Sequence, residues 1–177
     1  SHLKDISKNR LTISRKKIFH LQKFGKDYFD GRREHGYGGY YYNKKYFRKI
    51  VKEMIKHYKL NNNSKILDIG CAKGFMMYEF KYFLPKSEVL GIDISKYCKK
   101  HALKSVKNSI KVCNCINLPF EDNYFDFVVS ISTIHNLKEK DLPKAIMEIN
   151  RVKKNNGKSF IRVKGHKNLH QKKLLMI

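Results

Sequence analysis

The sequence predicts an α/β fold, one parallel β-sheet of about five strands with helices on both faces. Three observations predict it. Short apolar runs at 66–69, 89–92, 110–113, 125–131 and 159–163 have the length and continuity of strands buried on both sides. Amphipathic segments with apolar residues three and four apart, which is helical spacing, lie between most of them. Strand–helix alternation of this kind pairs strands in parallel through crossovers, and 177 residues supply one such core rather than two.

In chain order, residues 1–26 mix basic and apolar residues without clean periodicity, as an amphipathic helix or a loosely held arm would. In 27–42 the glycines interrupt regular structure while the aromatics demand something to pack against, so this is a shaped loop. Residues 1–43 are therefore expected to form a basic, aromatic arm and lid, and 44–177 the ligand-binding domain. Phe47, Ile50, Val51, Met54, Ile55 and Tyr58 share one face of a helix over 44–58, which the turn at Asn61-Asn62-Asn63-Ser64 ends. Strand 66–69 is apolar except for Asp68, 75–83 is helical, and 89–92 is a second strand. Tyr97, Cys98, His101 and Ala102 mark another helix face. Strands at 110–113 and 125–131 follow, then a helix over 142–152, opened by Asp141 with Pro143 in its first turn, and a fifth strand at 159–163.

Composition excludes several classes. No run reaches the roughly 18–20 apolar residues that span a bilayer, and the N-terminal stretch has no secretory apolar core, so a cytoplasmic location is expected. Cys71, Cys98, Cys113 and Cys115 contain no C-x-x-C pair, so neither a metal site nor a disulfide framework is indicated. The formal charge of +24 invites a polyanion such as nucleic acid. Codon usage in an A+T-rich genome explains the same lysines, since Asn, Ile, Tyr and Phe are also abundant and Ala is scarce.

Ligands of open parallel sheets bind at the carboxyl ends of the strands, near the point where strand order reverses. The loop there reads Asp68-Ile69-Gly70-Cys71-Ala72-Lys73-Gly74 and opens into a helix. Gly70 supplies a tight turn, and small residues at 70, 72 and 74 let a ligand approach the backbone. Asp93 ends the second strand, where a carboxylate can accept hydrogen bonds from both hydroxyls of a ribose. The G-x-G-x-x-G pyrophosphate cradle is missing, which disfavours a dinucleotide, and Gly157-Lys158-Ser159 lacks the first glycine of a P-loop. A nucleoside without phosphates fits better.

Four segments in this order and spacing, 65–75, 89–93, 117–130 and 148–157, resemble class I (Rossmann-like) S-adenosylmethionine-dependent methyltransferases. The resemblance spans about residues 64–163, and the aromatic-glycine stretch at 37–42 is similar to small bacterial members. It implies that Asp68, Gly70, Cys71, Ala72 and Gly74 form the loop under the methionine part of the donor. Asp93 would hold the ribose, and Ile94 would pack on the adenine. Asn114 would face the adenine amino group, Cys115 and Ile116 would line the ring, and Ser130 and Ile131 would lie beside the sulfonium. Ala72 stands where the family usually has its central glycine, and Asn114 where it often has Asp. Against the family's C-terminal helix and antiparallel hairpin the residues after 163 are few, so an exposed sheet edge or apolar patch favouring a homo-oligomer is expected.

Methyl transfer from a sulfonium is an in-line displacement that needs alignment and exclusion of water more than many catalytic groups. His135, just past the fourth strand, is the candidate base, with a capping or packing histidine as the alternative. Tyr37, Tyr40, Tyr41 and Tyr42 can form a lid over the donor or simply pack on the domain. The function expected is methyl transfer to a small-molecule acceptor; the rivals are an RNA methyltransferase using the basic surface and a donor-binding domain without turnover.

Overall fold

The computed structural model describes residues 24–163, so the expectations for 1–23 and for 164–177, the missing hairpin included, lie outside the described residues. Five strands, β1 (Lys65–Ile69), β2 (Glu88–Asp93), β3 (Ile110–Val112), β4 (Phe125–Ile131) and β5 (Lys153–Arg162), pair in parallel in the order β3-β2-β1-β4-β5. Strand order reverses at β1 and β4, so their carboxyl ends flank the switch-point crevice. Among the described residues β5 pairs only with β4 and is an edge.

The helices are α1 (Lys26–Phe29), α2 (Lys44–Tyr58), α3 (Phe75–Phe83), α4 (Lys96–Lys100) and α5 (Leu142–Val152). Period-2 alternation sends Ile66 to one face of the sheet and Leu67 and Ile69 to the other. The first face is covered by α2, through Phe47, Val51 and Met54, and by α3, through Phe75, Met76, Met77 and Phe80. The second is covered by α5, through Ala145, Ile149 and Val152. The α/β fold expected from the sequence is therefore the fold found. At the start of α2 the Asn43 side chain accepts from the Tyr46 amide at 3.1 Å, and left-handed Lys59 ends it.

The boundaries differ most in three places. Helix α4 is only five residues, capped by the Ser95 hydroxyl on the Cys98 amide at 3.0 Å. Asp141 makes no side-chain cap; a 3₁₀ turn, Glu139–Asp141, leads into α5 instead. Strand β5 starts at Lys153, six residues before the apolar run at 159. Lys153 pairs with Phe125 and Lys158 with Phe127, so 154–157 bulge between two paired positions. A polar bulge on an edge strand leaves no alternating apolar pattern to read.

Candidate active site

The crevice is built from four loops at the carboxyl edge of the sheet. The loop after β1 turns at Gly70 (φ +77°), whose amide, with that of Cys71, donates to the Ile92 carbonyl at 2.8 and 3.0 Å. A Cβ on Gly70 would lie 2.0 Å from Thr133 Oγ1, so the close approach that requires glycine here is the loop after β4, not only a ligand. Gly74 precedes α3 at φ +76° and packs against Val106. Cys71 is buried, and burial pushes its thiol well above the ordinary range, which makes it an inert packing group.

Ala72 occupies the left-handed region at φ +48°, a conformation that costs an L-residue roughly 1–2 kcal/mol and explains why glycine is usual there. Its methyl is packed among Phe29 and Cys98, with Tyr37, Tyr40 and Tyr97 around them. The extra carbon relative to glycine is therefore buried against the arm.

Asp93 is nearly fully buried at the end of β2. Its Oδ2 accepts from the Ala72 amide at 2.8 Å and its Oδ1 from the Ser95 amide at 2.7 Å. A carboxylate offers about four lone-pair sites, so two remain, one on each oxygen, and a vicinal diol matches that pair. Burial raises the Asp93 pKa and the two amides oppose the rise. Asp68, also buried, is pushed up to about 7 by burial and then by the charge of Asp93. Next to Asp93, Ile94 is 54% exposed, an apolar surface at the rim of the crevice.

Asn114 is exposed, and its side-chain oxygen accepts from the Ile116 amide at 3.2 Å, closing an Asx turn after β3. Cys115 is buried with its thiol raised to about 11, and Ile116 is half-buried. Helix α5 anchors this loop: Glu148 accepts the Leu118 amide at 2.6 Å, while Arg151 donates to the Leu118 and Phe120 carbonyls at 2.9 and 2.8 Å. Ser130 is fully buried at the end of β4, and its hydroxyl has no hydrogen-bond partner among the described residues; Ile131 is half-buried beside it. His135 follows in the 3₁₀ turn Ile134–Asn136, half-buried, reached through Ser132 at φ +55°.

The arm closes one side. Asp30 Oδ1 and Oδ2 accept from Lys73 Nζ at 2.8 and 2.7 Å, Oδ2 from the Tyr97 hydroxyl at 2.7 Å, and Oδ1 from the Tyr40 amide at 3.1 Å. Lys73 also donates to the Tyr40 carbonyl at 3.0 Å. Burial works to raise Asp30, but these hydrogen bonds outweigh it and hold the carboxyl at about 2. Tyr37 stacks on Phe29 with centroids 5.6 Å apart, and burial lifts its phenol to about 12, with Asp93 adding to the rise. Tyr40 stacks on Phe75. Tyr42 is placed differently: its hydroxyl donates to Glu79 and its ring meets Phe47 and Tyr78, in the contact between arm, α2 and α3. Tyr41 is exposed.

Residues 67–161 match the family model described as "Methyltransferase domain". The chain belongs to the class I S-adenosylmethionine-dependent methyltransferases. An uncharacterised protein of Methanocaldococcus jannaschii is 32% identical over 139 residues, 78% of this chain and 51% of that protein. A probable tRNA methyltransferase 9B of Bos taurus is 37% identical over 105 residues, 56% of this chain and 21% of that protein. The chain thus spans about half, or less, of the length of curated relatives it matches. Phosphoethanolamine N-methyltransferase 2 of Haemonchus contortus, solved with phosphomonomethylethanolamine and S-adenosylhomocysteine, superposes with TM-score 0.56 at 27% identity, over 64% of this chain and 27% of that one.

In this member of the family, the geometry brings Asp68, Gly70, Ala72, Asp93, Ile94, Asn114, Cys115, Ser130 and His135 to one edge of the sheet, and Tyr37 joins them from the arm. Sequence reasoning missed Lys73, Asp30 and Tyr97. The available signal was only a lysine inside an otherwise small and apolar loop; the structure buries it to 7% exposure, where its charge needs a partner.

Proposed function

We propose that this chain binds S-adenosylmethionine at the carboxyl edge of β1, β2 and β4 and directs its methyl group to a small-molecule acceptor. The carrying observation is Asp93, whose carboxylate is fixed by two backbone amides and keeps one acceptor site free on each oxygen for a ribose diol. Ile94 offers an apolar face for the adenine, and Asn114 keeps a second lone pair for its amine. Asp68, ionised above about pH 7, is the acidic counterpart for an ammonium. When bound, the donor supplies an electrophilic methyl group on a sulfonium, whose charge is neutralised by transfer. Tyr37, Tyr40 and Phe29 cover the loop from the arm side and keep water out. His135, past the end of β4, would take the proton of an acceptor hydroxyl or ammonium.

A small acceptor suits a crevice roofed by an aromatic arm, and the related structure holding phosphomonomethylethanolamine supports that reading. A second reading, RNA as acceptor, is favoured by the cationic outer face of α2 and by relatives named as probable tRNA methyltransferases.

Titration calorimetry with S-adenosylmethionine and S-adenosylhomocysteine tests the donor site. Micromolar binding is expected, abolished by Asp93→Ala and weakened about tenfold by Ile94→Ala, whose exposed side chain can be cut without loss of fold. No binding by the folded wild-type chain would overturn the proposal.

A further inference from the structure

Helix α2 carries its charge in a pattern that spread-out lysines do not produce. At about 100° per residue, Lys45, Arg48, Lys49, Lys52 and Lys56 fall within a wedge of about 100°, opposite the buried Phe47, Val51 and Met54. The helix has one acid, Glu53, which lies outside that wedge. Arg48 is neutralised by buried Glu79 at 3.0 Å and lies 4.1 Å above the ring of Tyr82, which remains 55% exposed. The four lysines pair with no carboxylate among the described residues, unlike Lys73 and Lys154 elsewhere. Four like charges along about 16 Å of one helix repel one another and favour a polyanion that brings phosphates to each.

We infer that this face of α2 is a docking surface for single-stranded RNA, with the lysines on successive phosphates and Tyr82 as a platform for an unstacked base. The inference deepens the second, RNA reading above and rests on it for the meaning of the contact. The helix starts at Lys44, directly after the arm residues Tyr40 and Tyr42, so a strand lying along it runs up to the rim of the crevice. An anionic membrane is the poorer occupant. A membrane-lying helix needs its apolar face free for the bilayer, and here that face is buried against α3 and the sheet.

The test is fluorescence anisotropy of the full chain with a labelled, unstructured RNA of about 16 nucleotides, at salt from 50 to 200 mM. Binding is expected with a log–log salt slope of about −3, as four phosphate contacts at about 0.7 each require. Lys45→Glu/Lys49→Glu/Lys52→Glu is expected to weaken it more than tenfold while leaving donor calorimetry unchanged, which shows the variant folded. Tyr82→Ala is expected to weaken it several-fold with little change in slope. Equal binding of RNA by the triple variant and wild type, no RNA binding by wild type, or tighter binding to phosphatidylserine vesicles than to RNA would each overturn the inference. Methyl transfer to RNA is scored separately with labelled donor: transfer that the triple variant retains in full would keep RNA as acceptor yet remove α2 as its dock.

Discussion

Burial raises the pKa of both Asp68 and Asp93, but their partners differ. Two backbone amides oppose the rise at Asp93, whereas the charge of Asp93 adds to the rise at Asp68 and puts its pKa at about 7. The ordinary carboxyl value is 3.8, so between 3.8 and about 7 the folded chain holds a proton that the unfolded chain has released. Stability from this group is therefore greatest below that window and falls as pH rises through it. Asp68→Asn, isosteric and neutral, should raise stability by about 2–4 kcal/mol at pH 8, read as a higher denaturation midpoint, and do nothing at pH 4. The same change should weaken donor binding at pH 8, and wild-type affinity should drop about tenfold per unit as pH falls below about 7. A pH-independent donor affinity would remove Asp68 from the site. His135→Ala is the complementary test: kcat should fall about a hundredfold or more with donor affinity intact, whereas a packing histidine would lose stability and spare kcat.

At the level of elements, the arm and the loop after β1 are joined by one buried ion pair, Lys73 with Asp30, 43 residues apart. Lys73→Ala leaves a partly buried carboxylate without its cation, so it should cost about 3 kcal/mol and speed hydrogen exchange of the arm amides that the latch orders, Tyr37 and Gly39 among them. Asp30 titrates at about 2; the latch is intact above the ordinary value of 3.8 and is lost only as pH falls through about 2, so it is no switch at neutral pH. Elements made by local pattern were legible in the sequence: α2 by its 3- and 4-residue spacing, β1, β2 and β4 by continuous apolar runs. The latch was not, because nothing local links Asp30 to Lys73. Nor was the origin of β5, whose first residues are polar and bulged, or the placement of Tyr42, whose hydroxyl is committed to Glu79.

The whole molecule couples these parts through one crevice, so ligand binding should be felt as global stability. The loop after β1, the β2 end, the loop held by Glu148 and Arg151, and the arm all converge there, and a ligand that touches each of them binds only the folded chain. At a donor concentration one hundred times its Kd, the gain is about 2.7 kcal/mol. For a domain of this size each kcal/mol moves Tm by roughly 2–4 °C, so S-adenosylmethionine should raise Tm by about 5–11 °C. Because Asp93 joins β2 to the loop after β1, Asp93→Ala should lose that shift as well as some basal stability. Ile94→Ala separates the two effects, since it should keep the basal Tm and lose only part of the donor-induced rise. A differential scanning titration of the three proteins reads both quantities at once. A donor shift that survives Asp93→Ala in full would place the nucleoside away from the end of β2.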